Sequence, residues 1–97
     1  MKPNEPDIKV ACAIKAIRLL RGTKQINIAN ALTMSEGFYC KIENGKHVLS
    51  LGQLYSIADY FKVNCKVILG VAEIISSDTN DIEPLSKIKI EFLLTLF

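Results

Sequence analysis

Three features of the sequence predict an all-α fold. Apolar residues recur at steps of three and four, capping residues precede each such run, and no apolar–polar alternation persists. The expected architecture is five short helices in roughly the first seventy residues, followed by a C-terminal helix.

The first run holds Val10, Ala13, Ile14, Ile17 and Leu20 on one helical face. Pro6 and Asp7 supply its start, with Asp7 as N-cap, and Gly22 supplies its stop. Thr23 is placed to cap a second helix through Gln25, Ile28, Ala29 and Leu32, which spans about three turns at most. Thr33 and Met34 form a break, and Ser35 caps a third helix running from Glu36 to Glu43. Tyr39 and Ile42 are its buried positions, and Asn44-Gly45 ends it because both residues tolerate left-handed backbone angles.

Lys46 to Leu49 reads as a loop. Ser50 caps a fourth helix with Leu51, Leu54, Ile57, Ala58 and Phe61 on one face. Asn64 caps a fifth, from Cys65 to Leu69, closed by Gly70. Residues 76–80, SSDTN, have linker composition. Pro84 can open a sixth helix, as proline is favoured at the first helical position. Apolar residues then cover most of its circumference, so it needs a partner in water. The expected division is a domain at 7–70 and a linker with an apolar helix at 71–97.

A chain of 97 residues buries one modest core, and 49% hydrophobic with 23% charged residues is globular rather than disordered composition. The net charge of +2 is unevenly spread, from +3 over residues 1–22 to −2 over residues 76–97. A basic front half suits a phosphate-facing surface and equally an ordinary solvated one. The three cysteines, Cys12, Cys40 and Cys65, lie at wide spacing without a CxxC. That argues against a zinc knuckle or a disulfide framework and fits a reducing cytoplasm. No signal core or membrane-length run occurs. No nucleophile–base pair, glycine-rich phosphate loop or paired acids support an enzyme, and neither a metal nor another cofactor is expected.

Two short helices joined by a tight turn, the second ending at Asn-Gly, form the pattern of a helix-turn-helix. In such a unit the first helix crosses the DNA backbone while the second enters the major groove. The sequence resembles the Cro/CI-type (XRE) family of bacterial and phage regulators. The likeness runs through Ile14, Ile17, Arg18 and Gly22, then Lys24-Gln25, Ile28-Ala29, Leu32, Met34-Ser35 and Tyr39. It is densest at Lys41-Ile42-Glu43-Asn44-Gly45-Lys46 and continues through Ser50-Leu51, Leu54, Ile57-Ala58-Asp59, Val63 and Leu69. The implied fold is a five-helix, lambda-repressor-like domain.

The resemblance implies roles. Gln25 bonds a phosphate oxygen, or is simply a good helix former in the first turn. Lys24, Asn44, Lys46 and His47 are further backbone-contacting positions; for His47, a place near phosphate outweighs metal binding. Arg18 and Glu43 form a structural ion pair, against the alternative of two independent charges. The base-contacting set is Glu36, Gly37, Phe38 and Lys41. Lys41 is the leading reader of guanine O6 and N7, with phosphate second. Glu36 accepts from cytosine N4 or serves the helix dipole. Gly37 permits close approach or is incidental. Phe38 meets a thymine methyl, Met34 or a partner protein. Cys40 is a small filler more than a redox thiol, and Cys12 and Cys65 belong to the edge of the core.

The resulting expectation is a cytoplasmic, sequence-specific transcriptional regulator, a repressor binding a palindromic operator as a homodimer. Its partners are double-stranded DNA and a second copy joined through Leu85, Ile88, Phe92, Leu93 and Leu96, with no membrane. The alternatives are an antitoxin that grips a toxin protein with the C-terminal segment, and a protein-interaction module that has lost DNA binding.

Overall fold

The apolar steps of the first helix settle which face it buries. The computed structural model describes residues 5–75, and α1 spans Glu5–Leu20 with Ala13, Ile14, Ala16 and Ile17 buried. α2 follows at Gln25–Ala31, α3 at Glu36–Glu43, α4 at Leu51–Phe61 and α5 at Cys65–Ile74. No strand occurs among the described residues. α1 packs along α5 and against α3, α2 packs on α3 and α4, and α4 packs on α5. The shared core gathers Ile14, Ile17, Ile28, Tyr39, Ile42, Ile57, Phe61 and Ile68. Fully burying each large side chain contributes about 1.5–3 kcal/mol, so this cluster holds together helices that are individually too short to persist in water.

The four helix ends that join neighbouring elements share one solution. After α1, the Thr23 amide donates to the Arg18 carbonyl at 3.1 Å and that of Gly22 to Leu19 at 3.1 Å. After α2, Met34 donates to Ala29 and Thr33 to Asn30. After α3, Lys46 donates to Lys41 and Gly45 to Ile42; after α4, Val63 donates to Ala58 and Lys62 to Asp59. These are paired Schellman bonds, which require one residue in the left-handed region. Gly22 (φ 66°) and Gly45 (φ 70°) fill that place at two ends, and Thr33 (φ 59°) and Lys62 (φ 58°) at the other two. Side chains bearing Cβ strain there, a β-branched one most.

Several boundaries differ from expectation. α1 starts at Glu5, so Asp7 lies inside the first turn rather than at the cap; Pro6 is tolerated there because first-turn amides lack intrahelical partners. Thr23 does not cap α2. Lys24 occupies that position without a side-chain hydrogen bond, and the helix is only 7 residues long. α5 continues through Gly70 to Ile74. Val71 and Ala72 extend the buried face of Val67 and Ile68, and their burial outweighs the roughly 1 kcal/mol that glycine costs a helix. Leu51 is 75% exposed rather than on the buried face of α4, because at about 100° per residue it falls well off the centre of the face formed by Leu54, Ile57, Ala58 and Phe61. Cys12 is exposed on the outer side of α1, while Cys65 does pack against the core.

The expected sixth helix, with Leu85, Ile88, Phe92, Leu93 and Leu96, lies outside the described residues.

Candidate nucleic-acid interface

The site is built on α2, the turn at Thr33, and α3. Ser35 fixes where α3 begins, its hydroxyl accepting from the Phe38 amide at 3.1 Å. Tyr39 and Ile42 then point inward, which turns Glu36, Gly37 and Lys41 to solvent. A Cβ built on Gly37 meets nothing within 4 Å, so the start of this face is open.

Beneath the face lies a buried polar knot. Arg18 Nε donates to Glu43 Oε2 at 2.5 Å and Arg18 Nη2 to Glu43 Oε1 at 3.1 Å. The third guanidinium nitrogen, Nη1, donates to the Thr23 carbonyl at 2.9 Å. Gln25 Nε2 completes the knot by donating to Glu43 Oε1 at 3.1 Å. The side chains of Arg18 and Glu43 are 10% and 0% exposed, so a fork-to-fork pair is what makes burying both charges tolerable. Hydrogen bonding to Glu43 raises the Arg18 pKa further. The knot joins α1, the α1–α2 turn, α2 and the end of α3 into one frame.

Tyr39 sits beside this knot. Burial, and then the neighbouring Glu43 carboxylate, push its phenol pKa far above 10.0, so the group stays protonated. Its Oη finds no hydrogen-bond partner among the described residues.

The expected site residues fall into two groups. Lys24, Lys41 and Lys46 are exposed, and Glu36 is exposed with them. Because Glu43 is consumed by Arg18, three cations stand against one anion on residues 23–50 at the surface. The second group is tethered. Gln25 is tied to Glu43, and Asn44 Nδ2 donates to Cys40 Sγ at 3.3 Å. Phe38 is partly buried and lies edge-on to His47, with ring centroids 4.8 Å apart. His47 Nε2 in turn is 3.1 Å from Gln53 Oε1.

Sequence reasoning missed Gln53. Its Oε1 also accepts from the Ser50 amide at 3.0 Å while Ser50 Oγ accepts from the Gln53 amide at 3.1 Å. The spacing of Ser50 and Gln53 is the signature of that capping box and was available to find it. The Thr23 carbonyl as a guanidinium acceptor carried no sequence signal at all. Among the described residues no group of metal-ligating side chains occurs, and no helix is long and apolar enough to cross a membrane.

A short helix tied into a buried ion pair, a tight turn, and a second helix presenting Lys41 define a helix-turn-helix DNA-binding unit. The chain belongs to the helix-turn-helix family of the Cro/CI (XRE) type, whose model matches residues 14–68. It is, in the general sense, a DNA-binding transcription regulator. No curated protein and no solved structure gives a significant match.

Proposed function

We propose that the chain is a repressor that recognises a palindromic operator as a homodimer, reading bases with α3 and gripping phosphates from its two flanks. The observation that carries this reading is the separation of exposed from tethered charge. Lys24, Lys41 and Lys46 are left exposed at the surface while the buried carboxylate is fully spent on Arg18 and Gln25.

Lys41, exposed in the last turn of α3, is the base reader, and guanine O6 and N7 are its matching acceptors. Glu36 opens the same face and accepts from cytosine N4. Gly37 lets the backbone of α3 approach the groove floor. Phe38 contributes what its packing on His47 leaves uncovered, an apolar edge for a thymine methyl. Lys24, Gln25, Asn44, Lys46 and His47 hold phosphates and set register without reading sequence. Gln25 keeps its amide oxygen and one N–H outside its bond to Glu43, so it can serve phosphate and knot together.

One such domain covers little DNA, and two half-sites about 34 Å apart supply usable affinity. The second copy is joined through Leu85, Ile88, Phe92, Leu93 and Leu96.

Selection from a random DNA pool at fixed salt tests the reading. Enrichment of an inverted repeat with half-sites one turn apart is expected. Recovery of no sequence preference and no salt-dependent affinity would instead indicate a protein-interaction module, the role that exposed Glu36 and half-buried Phe38 would favour.

A further inference from the structure

Between the start of α1 and the second half of α5 runs a groove of about 610 Å³. Its floor is apolar, built from Pro6, Val10, Leu69 and Gly70. Glu5, Lys9 and Glu73 are charged residues that line it as well. Leu69 is 46% exposed although it sits in the middle of its helix. Such an apolar channel flanked by charge is the shape that receives an amphipathic segment. α5 carries half of the groove and ends one residue before Ile75, so the chain leaves α5 beside it.

The sequence after Ile75 fits this place. A helix opening at Pro84 turns by about 100° per residue. Leu85, Ile88, Phe92 and Leu96 then share one face, and Ile90, Leu94 and Phe97 fall on the opposite one. A helix that is apolar on two opposite sides needs two covers. Lys87 flanks the second face, where Glu5 and Glu73 would meet it, and Glu91 is set to meet Lys9. Residues 76–83 span up to about 26 Å if extended, enough to double back from the end of α5, which itself lines the groove.

We infer that the groove between α1 and α5 is the seat of this chain's own residues 87–97, bound in cis through Ile90, Leu94 and Phe97. The first face, with Leu85, Ile88, Phe92 and Leu96, is thereby turned outward to a second copy. The inference rests on the proposed C-terminal helix, and it adds the surface that positions that helix for pairing.

Disulfide trapping in the full chain tests it. The native Cys12, Cys40 and Cys65 are replaced by serine, and Leu69→Cys is combined with Leu94→Cys or, as control, with Phe92→Cys. The first pair is expected to form an intrachain bond at least about tenfold faster than the control, since only the facing side brings Cβ atoms within bridging distance. Equal rates overturn the inference. So does a bond found only between chains, which would mean the groove is filled by the partner's segment. Hydrogen exchange on the chain with its natural cysteines gives a second reading. Amides of residues 90–97 should be protected, and Leu69→Lys should speed their exchange by at least about tenfold. Unchanged exchange overturns the inference. Sedimentation separates it from the dimer proposal: a monomer with the fast intrachain bond retires the dimer and supports the seat.

Discussion

α2 and α4 are both short helices in one core, and they are held in opposite ways. α4 carries its own instructions. Ser50 and Gln53 form a reciprocal capping box, and Leu54, Ile57, Ala58 and Phe61 make a continuous buried face. α2 carries almost none. It has 7 residues, no side-chain cap, two buried residues, and a threonine in the left-handed position at its end. What fixes α2 is the knot of Arg18, Glu43 and Gln25 at one end and Ile28 and Ala29 in the core at the other. The helix proposed to cross DNA is thus stabilised from below, which leaves its outer surface free for a ligand.

If this contrast is right, the largest effect belongs to the knot. Arg18→Ala or Glu43→Ala alone strands a buried charge and should destabilise by about 3–5 kcal/mol in urea unfolding. The double substitution should cost less than the two singles added together, and a strictly additive cycle would contradict the coupling.

The caps come next. Ser50→Ala should cost about 1 kcal/mol, because α4 depends on that hydroxyl. The converse change, Lys24→Ser, supplies the missing cap to α2 and should raise stability by up to about 1 kcal/mol while weakening DNA binding. A Lys24→Ser protein that bound DNA unchanged would remove Lys24 from the interface.

Smaller effects follow from the strained turns. Thr33→Gly relieves about 1–2 kcal/mol of left-handed strain and loses roughly 0.5–1 kcal/mol to chain entropy. A net gain of about 0.5–1 kcal/mol is therefore expected, seen as a higher urea midpoint at constant slope. Gly37→Ala should also stabilise, by about 1 kcal/mol, since a methyl group there meets nothing. If α3 approaches the groove floor at that point, the same change should lower DNA affinity.

Tyr39 sharpens the comparison through pH. Its native pKa is raised above the ordinary 10.0, so below pH 10 the phenol is protonated in both states and stability is unaffected. As pH rises past 10, the unfolded chain releases the proton and the native state does not. Stability then falls by up to about 1.4 kcal/mol per pH unit from this group. Tyr39→Phe should remove that part of the alkaline slope. At neutral pH it should leave stability unchanged or raise it, because the buried hydroxyl has no partner in good hydrogen-bonding geometry.

The same contrast explains what could be read from the sequence. Ser35, Ser50 and Asn64 declared three helix starts, and Gly22 and Gly45 two helix stops, because each acts through bonds within a few residues. Thr33 and Lys62 fill the same left-handed position without any local signature, so those ends were visible only as breaks in periodicity. The end of α5 was misread at Gly70 because burial of Val71 and Ala72 is decided by α1, far away in sequence. In the site, the exposure of Lys41 followed from helical period, and that of Lys46 from its place in the loop after Gly45. The tethering of Gln25 by Glu43 and of Phe38 by His47 depends on neighbours that only the fold brings together.

The central claim is that exposed Lys41 reads sequence whereas exposed Lys46 only grips the backbone. Binding of Lys41→Ala and Lys46→Ala to the selected operator and to a scrambled duplex, each across a salt series, tests it most directly. Lys41→Ala should lose about 1–3 kcal/mol on the operator, far less on the scrambled duplex, and relax preference at one base pair. Lys46→Ala should weaken both duplexes alike and flatten the salt dependence by about one unit of slope. Equal losses on both duplexes for Lys41→Ala would contradict the account.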